Sequence, residues 1–182
     1  MDSIAENMKP AQKAKKSFRD TASFGGRIEY WVVGEMLRQG LDVYRPLVDD
    51  MGIDAIIRKK DGSFLEVQIK ARSDDTKPEF AAGFAGIKCE QSGNYWFVFY
   101  SSQMGEKGTM WLMTAEEFRK HAKQTKSGKS AGTWTLYLGR CKKNKTTGRE
   151  EPYALPEFEK YICRDFSFSR LIENGISDSS RE

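Results

Sequence analysis

Hydrophobic and polar positions alternate most clearly near the centre of the chain. Two short apolar runs, residues 53–57 and 64–71, flank the polar segment RKKDGS. This segment contains Asp61-Gly62, a dipeptide typical of tight hairpin turns. In the second apolar run every other position is polar, which is the period of a strand with two unlike faces. The pattern therefore predicts a β-hairpin.

The polar face of the second strand carries Glu66, Gln68 and Lys70. A strand needs to bury only one face, so an ordinary solvent-exposed face explains these three side chains equally well. Asp54 favours a different interpretation, because it stands inside the apolar run of the preceding strand. A carboxylate there is costly unless it is paired, hydrogen-bonded or bound to a metal.

Taken together, Asp54, Glu66, Gln68 and Lys70 suit phosphodiester hydrolysis. Magnesium takes oxygen ligands, usually one or two carboxylates together with water and substrate phosphates. A side-chain amide oxygen can complete such a site without adding charge. A bound metal lowers the pKa of its water, and a neighbouring lysine can hold that water or stabilise the transition state. We expect Mg²⁺, with Mn²⁺ as a substitute, to be bound by Asp54, Gln68 and Glu66.

On these residues the chain resembles the PD-(D/E)xK nuclease superfamily, which has an aspartate on one strand and (D/E)xK on the next. It is most similar to the branch of group I intron homing endonucleases in which QxK replaces (D/E)xK. The matching residues are Asp54, Gln68 and Lys70, the last two within EVQIKAR. The chain departs from the superfamily pattern in having Ile53 where proline is common and Gln68 in place of the second acid.

The resemblance extends upstream and covers residues 27–118 with decreasing strength. The segment GRIEYWVVGEMLRQGLDVYRP resembles the first helix and strand of the superfamily, which implies that Glu29 joins the site. A glutamate near the predicted helix start usually complements the helix dipole, so the catalytic role of Glu29 rests mainly on the resemblance. Glu66 either shares the metal or pairs with Lys70.

The resemblance implies an α/β, restriction-endonuclease-like three-layer core with a central mixed sheet flanked by helices. The function that it implies is a metal-dependent endonuclease acting on DNA, and a homo-oligomer is left open. A catalytically silent nucleic-acid-binding module of the same fold is the alternative, because Gln68 leaves Asp54 and Glu29 as the only family acids. A structural or interaction domain of a larger complex also remains open.

The net charge is only +4, but the cations are unevenly distributed. Residues 118–149 contain ten lysines and arginines and no acid. Such a segment attracts polyanions, although a solvated surface is the common explanation for a charge run. Within this segment we predict a specific set of nucleic-acid contacts: Arg140, Lys142, Lys143, Lys145 and Arg149.

The remaining patterns divide the chain into a basic flexible arm (1–20), a single nuclease-like domain (21–174) and a polar tail (175–182). A helix is predicted from Ser23 or Gly25 to Gln39, and Thr114 with Glu117 forms a capping box that opens a second helix. The segment KKNKTTGRE is predicted to be a mobile loop. Further strands are predicted at 41–45, 79–87, 94–101, 110–113 and 133–141.

Several classes of protein are excluded. The three cysteines lack a CxxC spacing, which indicates reduced thiols rather than disulfides or zinc ligands. The single histidine, His121, excludes histidine-metal clusters and two-histidine mechanisms. The sequence contains no apolar run long enough to cross a membrane and no signal-peptide core, so we expect a cytoplasmic protein without membrane contact.

Overall fold

The computed structural model describes residues 18–48, 51–89 and 93–173. The helices are α1 (Phe18–Arg38), α2 (Ala115–His121) and α3 (Ser169–Glu173). Short 3₁₀ turns cover Pro78–Phe80, Pro156–Tyr161 and Arg164–Phe166. The strands are β1 (Asp42–Tyr44), β2 (Ala55–Arg58), β3 (Phe64–Arg72), β4 (Gly83–Ile87), β5 (Tyr95–Ser101), β6 (Thr109–Thr114), β7 (Lys123–Gln124), β8 (Trp134–Tyr137), β9 (Gly139–Lys143) and β10 (Glu150–Ala154).

A five-stranded mixed sheet in the order β1-β2-β3-β5-β6 forms the centre of the domain. Strands β3 and β5 are parallel, and the other neighbours are antiparallel. β5 is buried along its whole length, as its continuous apolar sequence predicts for a strand covered on both faces. The prediction of an α/β fold with a central mixed sheet is confirmed.

The two faces of this sheet are covered by different layers. On one face, Val32 and Met36 of α1 pack with Leu65, Val67 and Ile69 of β3, and α3 joins the same apolar cluster. The other face is covered over β5 and β6 by a smaller sheet, β4-β8-β7, together with α2. One flanking layer is thus partly a sheet, where helices were expected.

The central hairpin turns as its sequence predicts. Gly62 has a φ of 84°, and its N–H donates to the Lys59 carbonyl at 3.0 Å. The Lys59 N–H donates to the Ser63 carbonyl at 2.8 Å, which closes a three-residue loop. In loops of this kind a type I turn is followed by a left-handed residue, a conformation that glycine adopts without strain.

The predicted start of the first helix was wrong. Helix α1 begins at Phe18, so residues 18–20 of the predicted arm are helical, and residues 1–17 lie outside the described part. Each glycine within a helix costs up to about 1 kcal/mol relative to alanine, so Gly25 and Gly26 weaken the local preference for helix at this point. Tertiary packing outweighs this cost, since Phe24 and Ile28 pack against the core on either side of the glycines.

Three further segments differ from prediction. The strand predicted at 133–141 is two strands, β8 and β9, which belong to different sheets. Residues 78–80 form a 3₁₀ turn, so the strand predicted at 79–87 is confirmed only from Gly83 onward. The segment KKNKTTGRE, predicted to be a loop, is a loop only at residues 144–149, because Lys142 and Lys143 belong to β9 and lie opposite Glu151 and Glu150 of β10. Cross-strand pairing with the following residues decided this, and a charge pattern does not reveal such pairing.

Cys89, Cys141 and Cys163 are free thiols, as predicted. Burial raises the pKa of the Cys163 thiol to about 12, which suits a structural role. No helix in the described ranges combines the length and the apolar character that a membrane span requires.

Candidate active site

Asp54 lies one residue before β2, where the β2–β3 ladder ends. Its N–H donates to the Val67 carbonyl at 2.9 Å. The next donor on that side of β3, the N–H of Ile69, donates to Oδ2 of Asp54 at 2.6 Å. Ile69 stands between Gln68 and Lys70, so the carboxylate lies against the backbone between these two residues. Asp54 is only 7% exposed, and this charge-assisted hydrogen bond offsets part of the cost of its burial.

The Gln68 side chain is buried where the backbone of Gly52 comes close to it. The residue is 5% exposed, and within the described part of the chain its Oε1 is buried without a hydrogen-bond partner. Gly52 has a φ of 72°, and a Cβ at this position would overlap Nε2 of Gln68. The hydroxyl of buried Tyr95 donates to the Gly52 carbonyl at 2.9 Å and so fixes this segment. An amide oxygen left unsatisfied in the interior is costly, which marks Gln68 as a ligand candidate.

The polar face of β3 does not form an ordinary solvent-exposed face. In register, Glu66, Gln68 and Lys70 lie beside the buried aromatic side chains Tyr95, Phe97 and Phe99 of β5. Glu66 and Lys70 are half-buried.

Glu66 lies farther from the aspartate than Gln68 does. In register it faces Ile56, and it lines an open hollow with Phe64 and Tyr44. Two residues of a strand span about 7 Å. Glu66 is therefore the peripheral member of the predicted set.

Glu29 lies near the middle of α1, so a helix-dipole role at the first turn does not apply. Its Oε2 accepts a hydrogen bond from Nη2 of Arg45 at 3.3 Å. Arg45 directly follows β1, and the register places Tyr44 opposite Ile56, two residues after Asp54. The helix glutamate is thereby held at the same end of the sheet as Asp54.

The donor set at this end of the sheet suits a hard cation. The carboxylates of Asp54 and Glu29 and the amide of Gln68 would each offer an oxygen, the ligand atom that Mg²⁺ and Mn²⁺ favour. Among the described residues no three His, Cys, Asp or Glu side chains cluster closely enough to hold a metal. A cation would therefore need the Gln68 oxygen, which is buried and has no hydrogen-bond partner in the described part of the chain.

The five predicted nucleic-acid contacts lie together on the β9–β10 hairpin, and all five are exposed. Arg140 faces Tyr153 in register, and Nζ of Lys142 lies 5.9 Å from the centre of the Tyr153 ring. The side chain of Asn144 orders the loop, because its Oδ1 accepts hydrogen bonds from the N–H groups of Thr146 and Thr147. The five exposed cations make the β9–β10 hairpin a basic ribbon.

The structure is similar to that of a bacterial homing endonuclease, I-Ssp6803I. The TM-score is 0.52, the match covers 88% of this chain and 99% of that chain, and the sequences are 15% identical. The fold is restriction-endonuclease-like. No protein-family model and no curated protein matches the sequence.

Three residues of this restriction-endonuclease-like core that shape the site were missed from the sequence. Gly52 admits the Gln68 side chain, Tyr95 fixes the segment around Gly52, and Arg45 holds Glu29. A glycine two residues before a buried aspartate was the one available signal. Tyr95 lies in an aromatic run, which by itself indicates only core packing. The partner of Arg45 is Glu29, which is 16 residues away in the chain.

Proposed function

We propose that this protein is a metal-dependent endonuclease that hydrolyses DNA phosphodiester bonds. Two observations carry the proposal together: the Asp54 carboxylate lies against the backbone between Gln68 and Lys70, and the buried Oε1 of Gln68 has no hydrogen-bond partner among the described residues. The similarity to a homing endonuclease, at 15% identity, supports the choice of DNA as substrate.

Each member of the set has a distinct part in the proposed reaction. Asp54 and Oε1 of Gln68 would hold Mg²⁺ or Mn²⁺, and Glu29 would orient the cation or its water. When bound, the cation would supply Lewis-acid activation of water and neutralise charge on the scissile phosphate. Lys70 would position the attacking water and stabilise the negative charge that develops on the phosphate oxygens. Glu66 has the weakest support as a ligand, because it lies two residues along β3 from Gln68, on the side away from Asp54.

Plasmid nicking in Mg²⁺, compared with nicking in chelator, tests the proposal. Asp54→Ala should abolish cleavage, because it removes the principal ligand. Asp42→Ala is a matched control, since Asp42 is an exposed carboxylate on the neighbouring β1 strand. Thermal melting verifies that both variants fold. If Asp54→Ala nicks as fast as the unmodified protein, the endonuclease proposal is wrong.

The second candidate is a catalytically silent DNA-binding module of the same fold. The observation in its favour is that, within the described ranges, no cluster of three acidic, histidine or cysteine side chains could hold a metal. A silent module would bind DNA through the basic ribbon and show neither Mn²⁺ binding nor Mg²⁺-dependent nicking. Mn²⁺ titration with and without DNA distinguishes the two candidates.

A further inference from the structure

Arg45 contacts both Glu29 and Tyr30 near the candidate site. Its Nη2 lies 3.3 Å from Oε2 of Glu29, and the guanidinium carbon lies 4.2 Å above the centre of the Tyr30 ring. The Arg45 and Glu29 side chains are only 30% and 27% exposed. As far as the described residues extend, Nη1 of Arg45 is buried without a hydrogen-bond partner.

The Arg45–Glu29 pair makes the charge of the site less negative, because Arg45 adds a positive charge beside Glu29. Asp54 and Glu29 carry one negative charge each, Gln68 is neutral, and Lys70 and Arg45 carry one positive charge each. Without the peripheral Glu66, these five side chains therefore have no net negative charge while Arg45 stays beside Glu29. A divalent cation binds poorly to such a site, because the arginine already neutralises one of the two acids.

We propose that Arg45 competes with the divalent cation for the Glu29 carboxylate, so that it weakens metal binding to the free protein. This inference rests on the proposed function. In the free protein Arg45 is a positioning residue that holds the Glu29 carboxylate. When the cation binds, the Arg45–Glu29 contact breaks and the carboxylate turns to the cation. Since Nη1 of Arg45 has no hydrogen-bond partner within the described ranges, the Arg45–Glu29 pair is incompletely stabilised and can exchange. Contact with the Tyr30 ring gives the displaced guanidinium a second interaction that does not depend on Glu29.

Mn²⁺ titration of the full chain, by calorimetry, tests the competition. Arg45→Gln should bind Mn²⁺ about three- to tenfold more tightly, a change typical of losing one partly buried ion pair and one nearby cation. Arg45→Lys keeps the charge and should stay close to the unmodified protein. Arg38→Gln is the matched control, because Arg38 pairs with Glu35 on the same helix and should leave the affinity unchanged.

A double variant identifies the residue through which Arg45 acts. If the competition is for Glu29, Arg45→Gln should have a much smaller effect in a Glu29→Gln background. Unchanged or weaker Mn²⁺ binding by folded Arg45→Gln would overturn the inference, because Arg45 would then merely support the site. Asp54→Ala separates the two levels: if it leaves Mn²⁺ affinity intact, the proposed function fails at this site. If Asp54→Ala weakens binding and Arg45→Gln does not tighten it, only the present inference fails.

Discussion

The Asp54–Gln68 end of the central sheet and the β9–β10 ribbon both carry polar residues, but they differ in how far these residues are buried. Asp54 and Gln68 are almost fully buried, and each is fixed by a particular backbone contact or close approach. The five cations of the ribbon are all exposed. Two of them, Lys142 and Lys143, lie opposite acids in the hairpin register.

This difference determines how the two regions should respond to mutation. A buried polar group depends on a few exact partners, so replacing one residue has a large effect. Exposed cations act through a summed field that salt screens, so each one contributes little. The proposed function therefore assigns chemistry to the first region and general affinity for DNA to the second.

The largest expected effect is on cleavage. Lys70→Ala should slow nicking by about 10²- to 10³-fold, because it removes the cation that stabilises charge in the transition state. DNA binding should change little, since one lysine is a small part of the total charge. Single-turnover cleavage and a binding titration on the same samples measure both. A parallel loss of binding and cleavage would place Lys70 with the ribbon rather than with the site.

The ribbon should show the reverse behaviour. Replacing Lys142, Lys143 and Lys145 together by glutamine should weaken DNA binding about ten- to a hundredfold at low salt and flatten the slope of log K against log salt by up to ~0.9 per lost phosphate contact. The same three positions changed to arginine keep the charge and provide the control. An unchanged salt slope in the glutamine variant would show that these lysines do not contact phosphate.

Two glycines with similar backbone angles allow a matched test of the close approach at Gln68. Gly52 and Gly148 have φ values of 72° and 67°, so alanine is strained at both. At Gly52 a Cβ also overlaps Gln68, whereas at Gly148 it meets no described atom within 4 Å. Gly52→Ala should cost about 1 to 2 kcal/mol more in unfolding free energy than Gly148→Ala. Equal costs in denaturant titrations would show that the amide moves aside freely.

The smallest expected effect concerns the charge of the site. Gln68→Glu keeps an oxygen ligand and adds a negative charge, so Mn²⁺ binding to the free protein should tighten several-fold. With DNA present the gain should shrink, because substrate phosphate already supplies negative charge. Titrations with and without an uncleavable DNA duplex measure the two gains. Unaltered affinity in the free protein would indicate that the Gln68 oxygen is not a ligand.

Local sequence was sufficient for much of the fold. Period-two alternation predicts β3, continuous apolar sequence predicts β5, and Asp61-Gly62 predicts the hairpin turn, because each signal comes from residues that are neighbours in the chain. The capping box at Thr114 and Glu117 is also present, with both of its hydrogen bonds formed. The helix start at Phe18 and the β9–β10 hairpin were missed, because packing and cross-strand pairing outweigh local preference there.

For the candidate site, the sequence by itself supplied the residue types: an aspartate in an apolar run, followed by a strand bearing Gln68 and Lys70. The roles of these residues remain predictions. Only the tertiary structure decided that Gln68 is buried, with an oxygen that no described residue satisfies, that Gly52 makes room for it and that Arg45 holds Glu29. Burial and pairing depend on contacts between residues that are distant in the chain, and such contacts leave no periodic signal in the sequence.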